Sequence, residues 1–234
     1  LKRVCVISLH SQWIGFAATG MRVCVLLGAF AFGYDEKRAI AFANLAGAAY
    51  CGAASLQKWS CGSKCSEDVT DVQVCKGDTT QAFVGKWDGS CVASFEGTSN
   101  IKSLIRDLEF VKAGTSWPGC ENCNVHDGFL KEWNSLSSCV KKSLTAIGCP
   151  AGTDIYTTGH SLGAAVDGLA MMDLSTAGWG IKESYNFGMP RTGDEAFAAS
   201  FNSKFGDRFF SGNAPQRPSA ALAAPQRHWN SLAL

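Results

Sequence analysis

Apolar residues along the chain fall into alternating short and long periods. Ile101, Leu104, Ile105 and Leu108 follow the i, i+3, i+4, i+7 spacing of one helical face, so IKSLIRDLEFV (101–111) predicts an amphipathic helix. GFLKEWNSLSSCVKKSLTAI (128–147) predicts another helix. TQAFVGKWDGSCVASF (80–95) predicts two strands folded about Asp88-Gly89, a hairpin dipeptide. Further on, DIYTT (154–158) predicts a strand, GAAVDGLAMMDL (163–174) a helix, ESYNFG (183–188) a strand and GDEAFAASFNSKF (193–205) a helix. Strands that alternate with helices predict an α/β fold with a mostly parallel sheet under helical cover. AIAFANLAGAAYCGAASL (39–56) is apolar over a long run, but Asn44, its glycines and its many alanines make it a poor membrane span, and it predicts a close-packed helix of a soluble fold.

Composition adds bounds. The chain has 234 residues, 46% of them hydrophobic and 18% charged, enough for one domain with a sizeable core. A net charge of +1 and the absence of a basic, aromatic-interleaved run give no reason to expect nucleic acid as a partner. Eleven cysteines are too many for an ordinary cytosolic enzyme. Cys61-Gly-Ser-Lys-Cys65 and Cys120-Glu-Asn-Cys123 have spacings that a zinc site also uses; disulfides in an oxidising compartment are the favoured reading. Met21-Arg22 precedes VCVLLGAFAFG (23–33), an apolar run of signal-peptide length, too short to span a bilayer, that ends in small residues before YDEKR. Residues 1–20 are then an upstream extension, 21–33 a secretory leader and 34–212 the domain, with a divergent tail over 213–234. Cleavage near Gly33 removes Cys5 and Cys24 and leaves an odd number of cysteines, one without a partner in the chain.

The sharpest chemical signal is Gly159-His160-Ser161-Leu162-Gly163, a G-x-S-x-G string between an apolar strand and a small-residue helix. Such an elbow lifts a serine hydroxyl clear of the sheet, and only glycine fits on either side of so sharp a turn. Ser161 is the candidate nucleophile. The backbone N–H of Leu162, at the helix start, is a candidate oxyanion donor.

Together, GHSLGAAV…DL, YNFGMPRTGDEAFA (185–198), VASFEGTSNIKSLIRDL (92–108) and CENCNVHDGF (120–129) resemble the class 3 lipases over about Phe42 to Gly212. That family comprises secreted triacylglycerol lipases of the α/β-hydrolase fold, with feruloyl esterases and phospholipases among their relatives. The resemblance implies a mostly parallel central sheet with helices on both faces, ester hydrolysis at a lipid–water interface, and no metal or organic cofactor. It assigns Ser161 as nucleophile, Thr98 in the F-R-G-[ST]-like strand end as one oxyanion donor and Leu162 as the other, and residues 99–110 as a lid. Here Glu96 stands where the family usually carries arginine, which reverses a charge beside the oxyanion strand, and Leu104 stands where well-known lids have tryptophan.

Base and acid are harder to place. His160 adjoins Ser161 and points away from it; His126 lies in a motif better known for structure; His10 is upstream and His228 lies in the tail. Asp167 and Asp173 fall on the elbow helix and Asp194 and Glu195 after the PR motif, and none matches the family's acid, so acid and base stay unassigned. The family's acid follows the strand that RFFSGN (208–213) begins, and no acidic residue occurs after Asp207. PQRPSAALAAP (215–225) can be encoded so that reading one nucleotide later gives N-D-P-V-P-R-L-P-P, the family's acid motif. The expectation is a tail read out of frame, with the last strands of the sheet missing; a transcript sequence across codons 210–220 tests it. Two other functions remain: a catalytically inactive lipid-binding homologue, and a cysteine-rich interaction module, against which the four ordered motifs weigh.

Overall fold

The computed structural model describes residues 34–98 and 111–212. The extension, the leader, the predicted lid and the tail lie outside the described residues.

Strands β1 (Thr70–Lys76), β2 (Gln81–Trp87), β3 (Ser90–Phe95), β6 (Asp154–His160), β7 (Gly180–Phe187) and β8 (Phe209–Gly212) form a six-stranded sheet in that order. The first two pairings are antiparallel and the other three parallel. β4 (Lys112–Gly114) and β5 (Asn124–His126) form a separate antiparallel pair. At the predicted hairpin, Asp88 (φ 49°) and Gly89 (φ 71°) are both left-handed, and Trp87 pairs with Ser90. Two positive φ values in a two-residue loop match the twist of the flanking strands. The sequence patterning did not flag β1, whose register breaks between Thr70 and Gln73, where Asp71 has φ 53°.

Helices α1 (Glu36–Ala48) and α2 (Ala53–Gln57) cover one face of the sheet. Helices α3 (Asp127–Ala146), α4 (Leu162–Thr176) and α5 (Glu195–Phe205) cover the other. The single helix expected over 39–56 is therefore two. The chain turns after Ala48, where the Gln81 amide donates to the carbonyls of Ala49 (2.9 Å) and Cys51 (2.6 Å). These bonds satisfy groups that a continuing helix would otherwise pair, and Gly52 supplies the cap position of α2. Disulfides Cys75–Cys139 and Cys91–Cys149 tie β1 to α3 and β3 to the segment after α3, and Cys120–Cys123 closes a short turn.

Arg38 fastens α1 to the sheet. Its guanidinium donates to Glu183 (2.6 and 2.9 Å) and Asp88 (2.6 Å) and lies 5.0 Å from the ring centres of Trp87 and Tyr156. Arg38→Leu strands the nearly buried Glu183 carboxylate, and a loss of about 2 kcal/mol in urea unfolding is expected, less than for a fully buried pair because Arg38 is partly solvated. Arg38→Lys is expected to recover only part of it, since an ammonium cannot reach both carboxylates while stacking on the rings.

Candidate functional site

β3 and β6 run parallel, with Phe95 opposite Gly159, so both strands end at the same edge of the sheet. Ser161 follows β6 directly and is followed directly by α4. Its backbone (φ 56°, ψ −122°) lies in a region that L-residues rarely occupy. Neighbouring bonds hold it there: Ser161 N–H donates to Phe187 O (2.9 Å) from the end of β7, and Ser161 O accepts from Ala164 N–H (3.1 Å). The residue is buried, at 6% relative exposure. Leu162, Gly163 and Ala164 open α4, a turn whose first N–H groups have no acceptor one turn back within the helix.

Both flanking glycines are required by contact. A Cβ on Gly159 would lie 2.3 Å from Gly163 O, and one on Gly163 would lie 2.1 Å from Phe95 O. The elbow is thus pressed onto the end of β3, the strand that leads to Thr98. Gly163→Ala is expected to cost about 3 kcal/mol, read as a drop in thermal midpoint, because the clash is with backbone that cannot step aside. Gly97 is equally confined: a Cβ there would lie 2.4 Å from His160 O and 2.2 Å from Tyr50 Oη. Thr98, half-buried, comes next, so the two predicted oxyanion residues belong to segments packed on each other.

His160 is taken up by other contacts. Its Nδ1 is 2.8 Å from Tyr50 Oη, the same hydroxyl donates to His160 O (3.4 Å), and desolvation pushes the imidazole pKa down. Tyr50 has one hydroxyl proton, so a neutral ring either accepts it at Nδ1 or, where it goes to His160 O, donates its own Nδ1–H to Tyr50 Oη. No local pattern points to Tyr50, which lies just past α1 and 110 residues from its partner. His126 caps α3: Nδ1 accepts from Gly128 N–H (3.1 Å), and the ring stacks on Phe129 at 4.2 Å. His10 and His228 lie outside the described residues.

The carboxylates set aside as acids are engaged elsewhere. Asp173 accepts from Trp133 Nε1 (3.0 Å) and pairs with Lys141 (2.7 Å); Asp194 caps α5 through Phe197 N–H (3.0 Å) and accepts from Asn124 (2.8 Å); Glu195 sits in the first turn of α5. Asp167 is fully buried on α4, where Oδ2 accepts from Asn186 Nδ2 (2.6 Å) and Ser184 Oγ (3.0 Å). Burial pushes its pKa up to about 7 against the pull of Asn186, Thr157 and Ser184. Beside the oxyanion strand, burial pushes the Glu96 carboxyl up, Lys76 draws it down and Glu132 pushes it up again. Glu132 itself accepts from the N–H and hydroxyl groups of Thr79 and Thr80. The Cys120–Cys123 disulfide removes two of the four thiolates that a zinc reading needs, and among the described residues no group of three or more His, Cys, Asp or Glu is placed to hold a metal ion.

A family model described as lipase (class 3) matches residues 92–212. A secreted mono- and diacylglycerol lipase of Malassezia restricta is 39% identical over 126 residues, 50% of this chain and 41% of that protein. A lipase of Rhizomucor miehei is 34% identical over 126 residues, 51% of this chain and 34% of that protein. The chain thus spans less than half the length of these curated relatives. Among solved structures, a lipase from Rhizopus microsporus var. chinensis superposes with a TM-score of 0.60 at 28% identity, over 76% of this chain and 65% of that one. A triacylglycerol lipase whose catalytic centre is a serine protease triad superposes with a TM-score of 0.61 at 25% identity, over 76% and 70%. The architecture is the α/β-hydrolase fold.

Proposed function

This chain belongs to the class 3 lipases, and on that premise we propose that it is a secreted serine hydrolase that cleaves carboxylic esters of lipids through an acyl-enzyme on Ser161. The observation that carries the reading is the backbone of Ser161 at φ 56°, ψ −122° between β6 and α4, pressed onto the end of β3. A strained, buried, over-determined serine at a strand–helix junction is what nucleophilic acyl transfer needs and what packing alone does not. In this reading Ser161 Oγ attacks the ester carbonyl while a general base takes its proton. The N–H groups of Leu162 and Thr98 receive the tetrahedral oxyanion, and collapse expels the alcohol. One such donor is typically worth about 10²–10³ in rate. Among the described residues, His160 and His126 are tied to Tyr50 and to the α3 cap, so neither is assigned as base. Supporting the substrate class, the Malassezia restricta relative is a secreted mono- and diacylglycerol lipase and the structural neighbour a triacylglycerol lipase. Supporting export, the described residues hold three disulfides. The leader (21–33) and the lid (99–110) remain part of the proposal.

The engaged state of both described histidines favours one second reading, an inactive lipid-binding homologue. A fluorophosphonate probe separates the two. Fast labelling confined to Ser161, with hydrolysis of emulsified acylglycerols, is expected for the hydrolase; an unlabelled protein that still binds lipid vesicles rejects it. Gly97→Ala tests the oxyanion placement. Its Cβ must displace His160 O or Tyr50, and labelling is expected to slow at least about tenfold, a fraction of one oxyanion donor's worth.

A further inference from the structure

The proposed chemistry leaves Asp167 unused, although it is fully buried and lies within two turns of Ser161 on α4. Its carboxyl faces Ser184 and Asn186 of β7 and Thr157 of β6, all buried and all uncharged. The charged and titratable side chains of the surrounding elements are directed elsewhere. On β7, Glu183 pairs with Arg38 and Lys182 lies over Tyr156; on α4, Asp173 pairs with Lys141. On α3, Glu132 accepts from Thr79 and Thr80; beyond β3, Glu96 faces Lys76 and Glu132. On β6, Asp154 is exposed at the opposite strand end and His160 is bonded to Tyr50.

Asp167 and Asn186 are complementary groups. Asn186 Nδ2–H donates to Asp167 Oδ2 at 2.6 Å, while Asn186 Oδ1 and Asp167 Oδ1 are buried without a settled partner. A proton on Asp167 Oδ1 lets the acid donate to Asn186 Oδ1 while it accepts from Asn186 Nδ2, the two-bond ring of a carboxylic acid with a carboxamide. An ionised carboxylate instead sets negative charge against the amide oxygen. Asn186 is also placed to pass the difference on. It pairs with Gly159, and the next residue, Phe187, pairs with His160 and accepts Ser161 N–H at 2.9 Å. Asp167 thus ties the helix that begins after Ser161 to the strand end that holds Ser161 at φ 56°.

We propose that Asp167 is a positioning residue for Ser161: as the neutral acid it closes a two-bond pair with the Asn186 carboxamide, and that pair fixes the end of β7 on which the Ser161 N–H rests. Loss of the proton opens the pair, shifts the Phe187 carbonyl and loosens the elbow. Burial pushes the Asp167 carboxyl up to about 7, so the change falls near neutrality. The effect on rate rests on Ser161 being the nucleophile; the effect on the Ser161 backbone does not.

The test compares the full chain with Asp167→Asn by amide and carboxyl NMR through the titration of Asp167, near pH 7. In the wild type the Ser161 amide resonance is expected to shift together with the Asp167 carboxyl and the Asn186 side-chain amide. Asp167→Asn, neutral at every pH, should lose that component. His160 is present in both proteins and desolvation holds its pKa down, so its own titration cancels in the comparison. Fluorophosphonate labelling should be similar in the two proteins on the acid side. On the alkaline side the wild type should fall about threefold behind the variant, a small part of the about hundredfold that a misplaced reacting group can cost. A Ser161 amide that stays still while the carboxyl titrates, a titration that Asp167→Asn retains, an Asp167 carboxyl already ionised on the acid side, or parallel labelling profiles each overturns the proposal. The first and third of these are read on the wild type alone, should the variant not fold. A Ser161 amide that follows Asp167 in a protein that never takes the probe upholds the positioning contact and rejects only the nucleophile.

Discussion

Ser161→Gly is expected to abolish probe labelling and ester hydrolysis while raising the melting temperature, whereas Ser161→Ala abolishes both without the gain. The hydroxyl is the proposed attacking group, and removing a serine nucleophile from a serine–base pair typically costs on the order of 10⁶ in kcat. Stability moves the other way because of the backbone. At φ 56°, ψ −122° a side chain is strained, by about 1–3 kcal/mol for a non-glycine residue. Glycine relieves that strain but gives back about 0.4–1 kcal/mol through the greater freedom of the unfolded chain. The balance is a gain of about 1 kcal/mol, a rise of about 2–4 °C for a domain of this size. Alanine keeps the Cβ and hence the strain, so it isolates the chemistry. The measurement pairs melting curves of the three proteins with their labelling rates. If Ser161→Ala keeps wild-type hydrolysis, the nucleophile is elsewhere. If glycine destabilises, Ser161 is not held against its own preference and the central observation for the site falls.

The elbow was legible because it is local: a strand, two glycines and a small-residue helix within some twenty positions, each reporting its own backbone need. The Asp88-Gly89 hairpin and the helix now bounded at Asp127–Ala146 were legible for the same reason. What the sequence hid is what depends on distant partners. The break after Ala48 is set by Gln81, which lies on β2 and reads as an ordinary polar strand residue. Tyr50 becomes part of the site only because the fold brings it to His160 and Gly97. β1 escaped notice because Asp71 bulges the strand and breaks its alternation. Leu162 followed from the strand–turn–helix pattern of the elbow itself, and Thr98 came from family resemblance. The parallel pairing of Phe95 with Gly159 supplies a physical reason for the two segments to meet that no local pattern carries.

Asp167 is the strongest case of a residue whose meaning is tertiary. Within GAAVDGLAMMDL it is simply an acid on the elbow helix, yet α4 has almost no solvent face, and Asp167 points into the sheet beside Ser184 and Asn186 of β7. Asp167 Oδ1, Asn186 Oδ1 and the Thr157 hydroxyl are buried without a settled hydrogen-bond partner, and Thr157 acts on Asp167 closely enough to draw its pKa down. A proton on Asp167 adds a second donor beside the Thr157 hydroxyl, which agrees with a carboxyl that burial pushes up to about 7. The consequence for stability follows from linkage. Between the unfolded value of 3.8 and about 7 the native protein holds a proton that the unfolded chain has lost, so raising the pH across that window removes stability. The slope approaches about 1.4 kcal/mol per pH unit. Asp88, Asp194 and Asp207, whose pKa values are lowered, act in the opposite sense and lose their contribution in acid, so the wild-type curve mixes both trends. Asp167→Asn separates them. Its amide mimics the protonated acid at every pH, one oxygen accepting from Ser184 and Asn186 and one N–H donating where the proton would be. The variant should match the wild type near pH 4 and exceed it by on the order of 10 °C in melting temperature at pH 8. Curves that stay parallel from pH 4 to 8 would mean that Asp167 enters the fold already ionised. The Thr157 hydroxyl would then be the donor that the buried carboxylate takes up.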